Sequence, residues 1–318
     1  MRRTAALAVA SLLLPGALLA APDDPAAKIG TATITEGQLV QALLRRYGYV
    51  TLSTMMAREA IAQAAAQAGL TVTDAEVEAR IKEFADWKDR HAILTGETYA
   101  MYLVGQGLTK ELYAEAMHYD LLLEKMVAPQ VQVTDQTVAQ YYTGHAQEFV
   151  VDEAMRASYI RMANLDQATK VHDQITAGQL TFDAAVTQYS EDDLTKGVGG
   201  KYDGWVRRMD NPFSMALFGL QMDADISPVV DMRPLGYYII RRDRYVRNYT
   251  LPYEEVRDDL RKQLTDEQTA NLKDAQRRQI LAAVKAQVLY QFPAGAFAPN
   301  TGGAAAGGGG AAPAAPGP

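Results

Sequence analysis

The sequence predicts an α+β protein in which an all-helical N-terminal unit, completed by a C-terminal helix, holds an inserted α+β domain. Three observations predict this. From residue 35 to about residue 147 apolar residues recur at helical spacing between threonine caps. From Val150 onward β-type runs alternate with helical ones, and beyond residue 248 a single long amphipathic stretch follows. A length of 318 residues also suits two hydrophobic cores better than one.

Residues 1–21 read as a targeting segment. Arg2 and Arg3 precede an apolar run from Ala5 to Leu14, Pro15 and Gly16 interrupt it, and "ALLAAPDD" supplies small residues for cleavage after Ala20 or Ala21. The run is shorter than the ~20 residues a membrane span needs. The chain contains no cysteine, which excludes the lipoprotein form of such a signal. The mature protein is therefore expected in a periplasmic or other extracytoplasmic compartment, held together by packing without disulfides.

Residues 22–150 open with a strand-like piece, "AKIGTATIT". Helix starts follow at Thr35 with Gln38 and at Thr73 with Glu76, pairs whose side chains can satisfy the free N–H groups of a first turn. Further starts fall at Thr109 and Thr134, and Gly69 closes "LSTMMAREAIAQAAAQ". In residues 151–248 the order is a strand over Arg156–Met162, helices over Asp166–Ala177 and Phe182–Tyr189, and a glycine-rich loop "KGVGGKYDGW". A short helix at "NPFSMALFG" and a strand "GYYIIRRDRYV" complete it. Residues 249–292 form one helix with Pro252 in its first turn and a stripe of Val256, Leu260, Leu264, Leu272, Ile280 and Val284. A stripe of that length needs a covering surface, which the N-terminal helical unit supplies. Residues 293–318, rich in Gly, Ala and Pro, hold too little apolar surface to offset the entropy of ordering and read as a disordered tail.

Composition narrows the function. A formal charge of −7 opposes a nucleic-acid surface, which needs basic groups to displace counterions from phosphates. His91, His118, His145 and His172 are scattered over separate helices with no metal-site spacing, so no metal is expected. The run Gly197–Gly200 lacks the Lys-Ser/Thr and the following helix of a phosphate loop, and no cofactor is expected.

The segments "MRASYIRM", "LTFDAAVTQYSED", "GVGGKYDGW", "DNPFSMALFGL", "ISPVV" and "GYYII" stand in the order of a parvulin-type (PpiC/rotamase) peptidyl-prolyl isomerase domain, which residues 151–248 resemble. The whole layout, with a SurA-N-like helical domain and a returning helix, resembles the SurA/PrsA-like group of extracytoplasmic foldases. The resemblance implies peptidyl-prolyl cis-trans isomerisation in the service of folding exported proteins, with unfolded or partly folded polypeptides as partners. Rotation about an X–Pro bond meets a barrier of ~18–20 kcal/mol. A dry site that favours the twisted amide over the planar one lowers that barrier.

The resemblance places a proline pocket at Met209, Phe213 and Phe218. It places the family's two histidines at Tyr159 and Tyr238. A phenol donates and accepts hydrogen bonds much as a neutral imidazole does, so the two tyrosines either continue the network, with the Tyr238 hydroxyl aimed at Tyr159, or fill volume in a domain that only binds peptides as a holdase. The family's acidic position in the glycine-rich loop falls to Asp203 or to Lys201. In the helical unit Met55, Met56, Met101, Met117 and Met126, with Tyr47, Tyr49, Tyr99, Tyr102 and Tyr113, provide adaptable surface for client chains.

Overall fold

A computed structural model of the chain describes residues 23–297 apart from Lys285. The expected signal segment and all but the first residues of the expected tail lie outside the described residues. Two units emerge, one of residues up to 60 with those from 281, the other of residues 61–280.

In the first unit the strand-like piece is a hairpin rather than one strand. β1 (Pro25–Ile29) pairs antiparallel with β2 (Ala32–Thr35), and Gly30 takes the left-handed turn conformation at φ 60°. Thr35 then caps α1 (Glu36–Leu43): its hydroxyl accepts from the Gln38 amide at 3.2 Å, and Gln38 Oε1 accepts from the Thr35 amide at 3.0 Å. A π turn (Leu44–Gly48) leads into α2 (Tyr49–Gln67). The absent side chain of Gly48 makes room for the Phe292 ring, which a Cβ there would meet at 2.8 Å. Tyr49 packs on the same ring at 5.6 Å.

In the second unit α3 (Asp74–Thr95) begins with the Thr73–Glu76 capping box and ends at Gly96, left-handed at φ 73°. α4 (Tyr99–Gly105), α5 (Lys110–Val127) and α6 (Asp135–Gly144) start at the caps Thr98, Thr109 and Thr134. Their core gathers Val77, Phe84, Tyr99, Tyr102, Leu103, Tyr113, Met117 and Leu121. The Phe84 ring meets Tyr102 edge-on at 5.3 Å. Four residues expected on a client-binding surface, Tyr99, Tyr102, Tyr113 and Met117, are therefore core, whereas Met55, Met101 and Tyr47 are exposed.

The α+β region follows in the same unit. Its strands are β3 (Val150–Met162), β4 (Val206–Arg207), β5 (Val230–Asp231) and β6 (Tyr237–Thr250), in the order β4-β3-β6-β5 and antiparallel throughout. Side chains alternate across a strand, so Ile160, Met162 and Ile239 enter one face and Tyr159, Tyr238 and Ile240 the other. The first face is covered by α7 (Leu165–Thr176) and α8 (Phe182–Tyr189) through Ala168, Val171, Phe182, Ala185 and Val186. The second is covered by α10 (Pro212–Phe218). A one-turn helix, α9 (Asp193–Lys196), opens the glycine-rich loop.

The last helix, α11 (Tyr253–Ala283), buries Leu260 and Ile280. It ends before residue 292, and the following segment runs without helix to Phe297, whose amide donates to the Arg45 carbonyl at 2.8 Å. Polar links tie α11 to the helices before the sheet. Gln268 accepts from the Gln132 amide at 2.9 Å, Arg261 pairs with Asp135, and Lys273 Nζ donates to both oxygens of Asp120 at 2.8 Å. The Lys273 and Asp120 side chains are only 17 % and 19 % exposed. Removing one partner of such a pair leaves an uncompensated, largely buried charge. Lys273→Met is expected to cost about 2–3 kcal/mol in urea denaturation, with much of the loss recovered in the Lys273→Met/Asp120→Leu double variant.

Candidate active site

The pairing of β3 with β6 sets Tyr159 opposite Ile240 and Arg161 opposite Tyr238. The two tyrosines are thus diagonal neighbours on one face. Their ring centroids lie 5.5 Å apart at 52°, with side chains only 1 % and 2 % exposed. Phe213 of α10 stands edge-on to Tyr159 at 5.9 Å. The structure brings together Tyr159, Tyr238, Phe213 and Phe218 in one apolar cluster, with Met155, Tyr202, Leu217 and Ile240.

Rather than the Tyr238 hydroxyl reaching Tyr159, as expected, the two tyrosines meet through their rings, and the Tyr159 hydroxyl finds a carboxylate. That hydroxyl donates to Asp192 Oδ2 at 2.5 Å. Asp192 is a buried carboxylate that caps α9: Oδ1 accepts from the Leu194 amide at 3.1 Å, and Oδ2 accepts from the Thr195 hydroxyl at 3.0 Å. A buried carboxylate needs such donors, since taking its charge out of water is otherwise costly. Burial raises the Tyr159 hydroxyl well above the ordinary phenol range, and the neighbouring Asp192 charge raises it further. Burial pushes Tyr238 up to about 12. Both phenols are neutral at physiological pH and keep a proton to donate.

Asp203 is exposed and pairs with Arg90 at 3.9 Å, so the carboxylate that meets Tyr159 comes from Asp192 rather than from the glycine-rich loop. Strand-like parity explains this. The Gly200 carbonyl accepts from the Tyr159 amide at 2.8 Å and the Tyr202 amide donates to the Ala157 carbonyl at 2.9 Å. The loop therefore runs beside β3 with Tyr202 turned into the cluster, and Lys201 and Asp203 alternate away from it. Burial pushes Tyr202 up to about 12. Asp192 was present in the sequence in "QYSEDDLTK", where an Asp three residues before a Thr reads as a helix cap; nothing in that pattern marks a site. Gly200 is the position that allows the approach, because at φ 72° an added Cβ would lie 2.4 Å from the Tyr159 carbonyl oxygen.

The pocket residues are unequally placed. Asn211 caps α10 by accepting from the Ser214 amide at 2.8 Å, and Pro212 takes the first turn. Ser214 Oγ accepts from the Met209 amide at 2.9 Å, fixing the turn that carries Met209. Met209 is 42 % exposed, Phe218 is 8 % exposed with the Arg208 guanidinium 4.5 Å above its ring, and Phe213 has no exposed surface. The site is closed over Phe213. Among the described residues no group of three or more His, Asp or Glu is arranged to hold a metal, and no helix is long and apolar enough to cross a membrane.

Comparison with known proteins places the paired sheet and the helix over its two tyrosines within a matched domain. Residues 155–244 match the PPIC-type peptidyl-prolyl isomerase domain, and residues 47–127 match the SurA-like N-terminal domain. The chain carries both, in that order. It is 25 % identical over 218 residues to foldase protein PrsA 2 of Listeria monocytogenes, covering 68 % of each chain. It is 25 % identical over 266 residues to foldase protein PrsA of Bacillus subtilis, covering 83 % of this chain and 80 % of that one. A putative peptidyl-prolyl cis-trans isomerase, YacD, of Bacillus subtilis is 21 % identical over 245 residues, covering 76 % of this chain and 78 % of that one.

Two outcomes follow from the geometry. Gly200→Ala forces either the loop or β3 to shift and is expected to cost at least about 2 kcal/mol, counting the clash with the strained φ, measured by denaturant unfolding. Because the fold raises Tyr238 and Tyr159 above the unfolded phenol value of about 10, it resists ionising them; their contribution to stability is complete below that value and is lost as pH rises toward 12 and beyond. Unfolding free energy is expected to fall steadily above pH 10, and less steeply in Tyr238→Phe.

Proposed function

We propose that the chain is an extracytoplasmic peptidyl-prolyl cis-trans isomerase that assists the folding of exported polypeptides. The observation that carries this is the convergence, inside the matched rotamase region, of Tyr159, Tyr238, Phe213 and a donor-satisfied Asp192 on one sheet face. Phe213, Phe218 and Met209 give a proline ring an apolar seat. A planar amide is more dipolar than a twisted one, so transfer from water into that seat favours the twisted state. The neutral phenols act at its floor, Tyr159 held in orientation by Asp192 and Asp192 held by Thr195. The basic and apolar opening of the sequence, with relatives named as foldases, supports a location outside the cytoplasm.

A second reading has its own support. The absence of an imidazole at either strand position and the full burial of Phe213 favour a holdase whose rotamase-type domain binds peptides without turnover. A proline-limited refolding assay separates the two. The chain is expected to accelerate the slow phase; a rate equal to the uncatalysed one, together with suppressed aggregation of an unfolded client, would establish the holdase instead. Asp192→Asn is expected to lower kcat/KM by about tenfold or more, the loss of about 1.4 kcal/mol from a positioned hydrogen bond to a charged group. Asp203→Asn is expected to leave kcat/KM within about twofold.

A further inference from the structure

We propose that the C-terminal end of α3 is a built-in plug of the rotamase site, with Ile93 seated where the ring of a client proline would enter, so that the site works only when this end of the helix lifts. The proposal rests on the isomerase reading of that site. Ile93 is 3 % exposed and belongs to the apolar cluster of Tyr159, Tyr238, Phe213 and Phe218; with Leu94 it is α3's contribution to a cluster otherwise drawn from residues 155–245. α3 and α10, the helix that carries Phe213, are in direct contact.

Three side-chain links run from this end to the elements of the site, each open to substitution. Asn211 Nδ2 donates to the Leu94 carbonyl at 3.2 Å, Arg90 reaches Asp203 at 3.9 Å in an exposed pair, and the His91 ring stands edge-on to Tyr202 at 5.9 Å. Just beyond, Gly96 in the left-handed conformation turns the chain into α4, whose first amide, Tyr99, donates to Asp89 Oδ1 at 2.8 Å. Ile93 presents to the cluster a compact apolar group of a size comparable to a pyrrolidine ring. An extended peptide carrying proline or a similar apolar residue therefore competes with the chain's own helix for one seat. When only a fraction of molecules is open, the apparent affinity for such a peptide is reduced by that fraction.

Two variants and one direct readout test this in the full chain. Ile93→Ala removes the plug's side chain. Asn211→Asp keeps the cap, since a carboxylate still accepts from the Ser214 amide, but replaces the amide donor to Leu94 with a repelling oxygen. Either variant, if folded by circular dichroism, is expected to raise kcat/KM for a short X–Pro peptide about threefold or more and to speed hydrogen exchange of the amides of residues 90–95. Saturating wild type with a proline-containing peptide is expected to speed the same amides. Rates no higher than wild type, with residues 90–95 exchanging as slowly in the variants and in the peptide-saturated protein, would overturn the plug while leaving the isomerase intact. Faster exchange with no turnover by any form would sustain the plug and overturn the isomerase reading.

Discussion

Everything at the site depends on the long antiparallel pairing of β3 with β6. Their register decides which side chains share a face, and the period of two makes that decision absolute, because a slip of one residue would turn the slipped strand's side chains to the opposite face. The pairing is fixed from both sides at once. Ile160, Met162 and Ile239 are buried under α7 and α8, and Ile240 with the two tyrosines is buried under α10. Exchanging faces would put the Tyr159 hydroxyl among aliphatic residues and leave Asp192 without one of its donors. Hydrophobic burial on the far face thereby holds the polar geometry of the near one.

That geometry is chemically conservative. The carboxylate at the buried floor, Asp192, is met by a phenol, a hydroxyl and a backbone amide. The same burial that raises the phenols keeps them as proton donors, so on the proposed function the floor of the site would present fixed dipoles needing no reorganisation as a substrate amide twisted. Preorganisation of this kind is a recognised source of rate enhancement in water-poor sites. The loop that runs along β3 completes the enclosure through Tyr202, and it gets that close to the strand because position 200 has no side chain.

Much of this was legible in the chain. Alternation in "MRASYIRM" and "GYYII" gave the central strands, although both extend further than their apolar cores, to Val150 and Thr250, because main-chain pairing continues where side chains are polar. Thr35, Thr73, Thr109 and Thr134 each cap the helix expected after them, whereas the cap of α4 at Thr98 is not among the expected starts. The acid was not legible. Asp203 lies two residues before a tryptophan in the glycine-rich loop and attracts attention, yet its parity along β3 turns it outward, and parity there is set by a contact between Gly200 and Tyr159 some forty residues apart. Asp192 looks like a cap and is one; its second partner, Tyr159, is visible only in three dimensions. The same holds for Ile93, one apolar residue among several at the end of a helix, whose neighbours in space lie more than sixty residues downstream. The long last helix is shorter at both ends than the expected residues 249–292: it begins at Tyr253, after Pro252, because β6 runs on to Thr250, and it stops at Ala283 although the following run keeps an apolar composition.

The half-exposed Met209 has a consequence beyond its proposed part in seating a ring. The chain has no thiol, and the positions beneath the pocket are phenols, which offer no soft ligand to copper or mercury and no thiolate to peroxide. An oxidant-sensitive group on the turn leading to Phe213 and Phe218 is the Met209 thioether. Conversion to the sulfoxide would set a polar S=O at the lip of the proposed pocket while the buried floor stayed unchanged, and methionine sulfoxide reductases could reverse it.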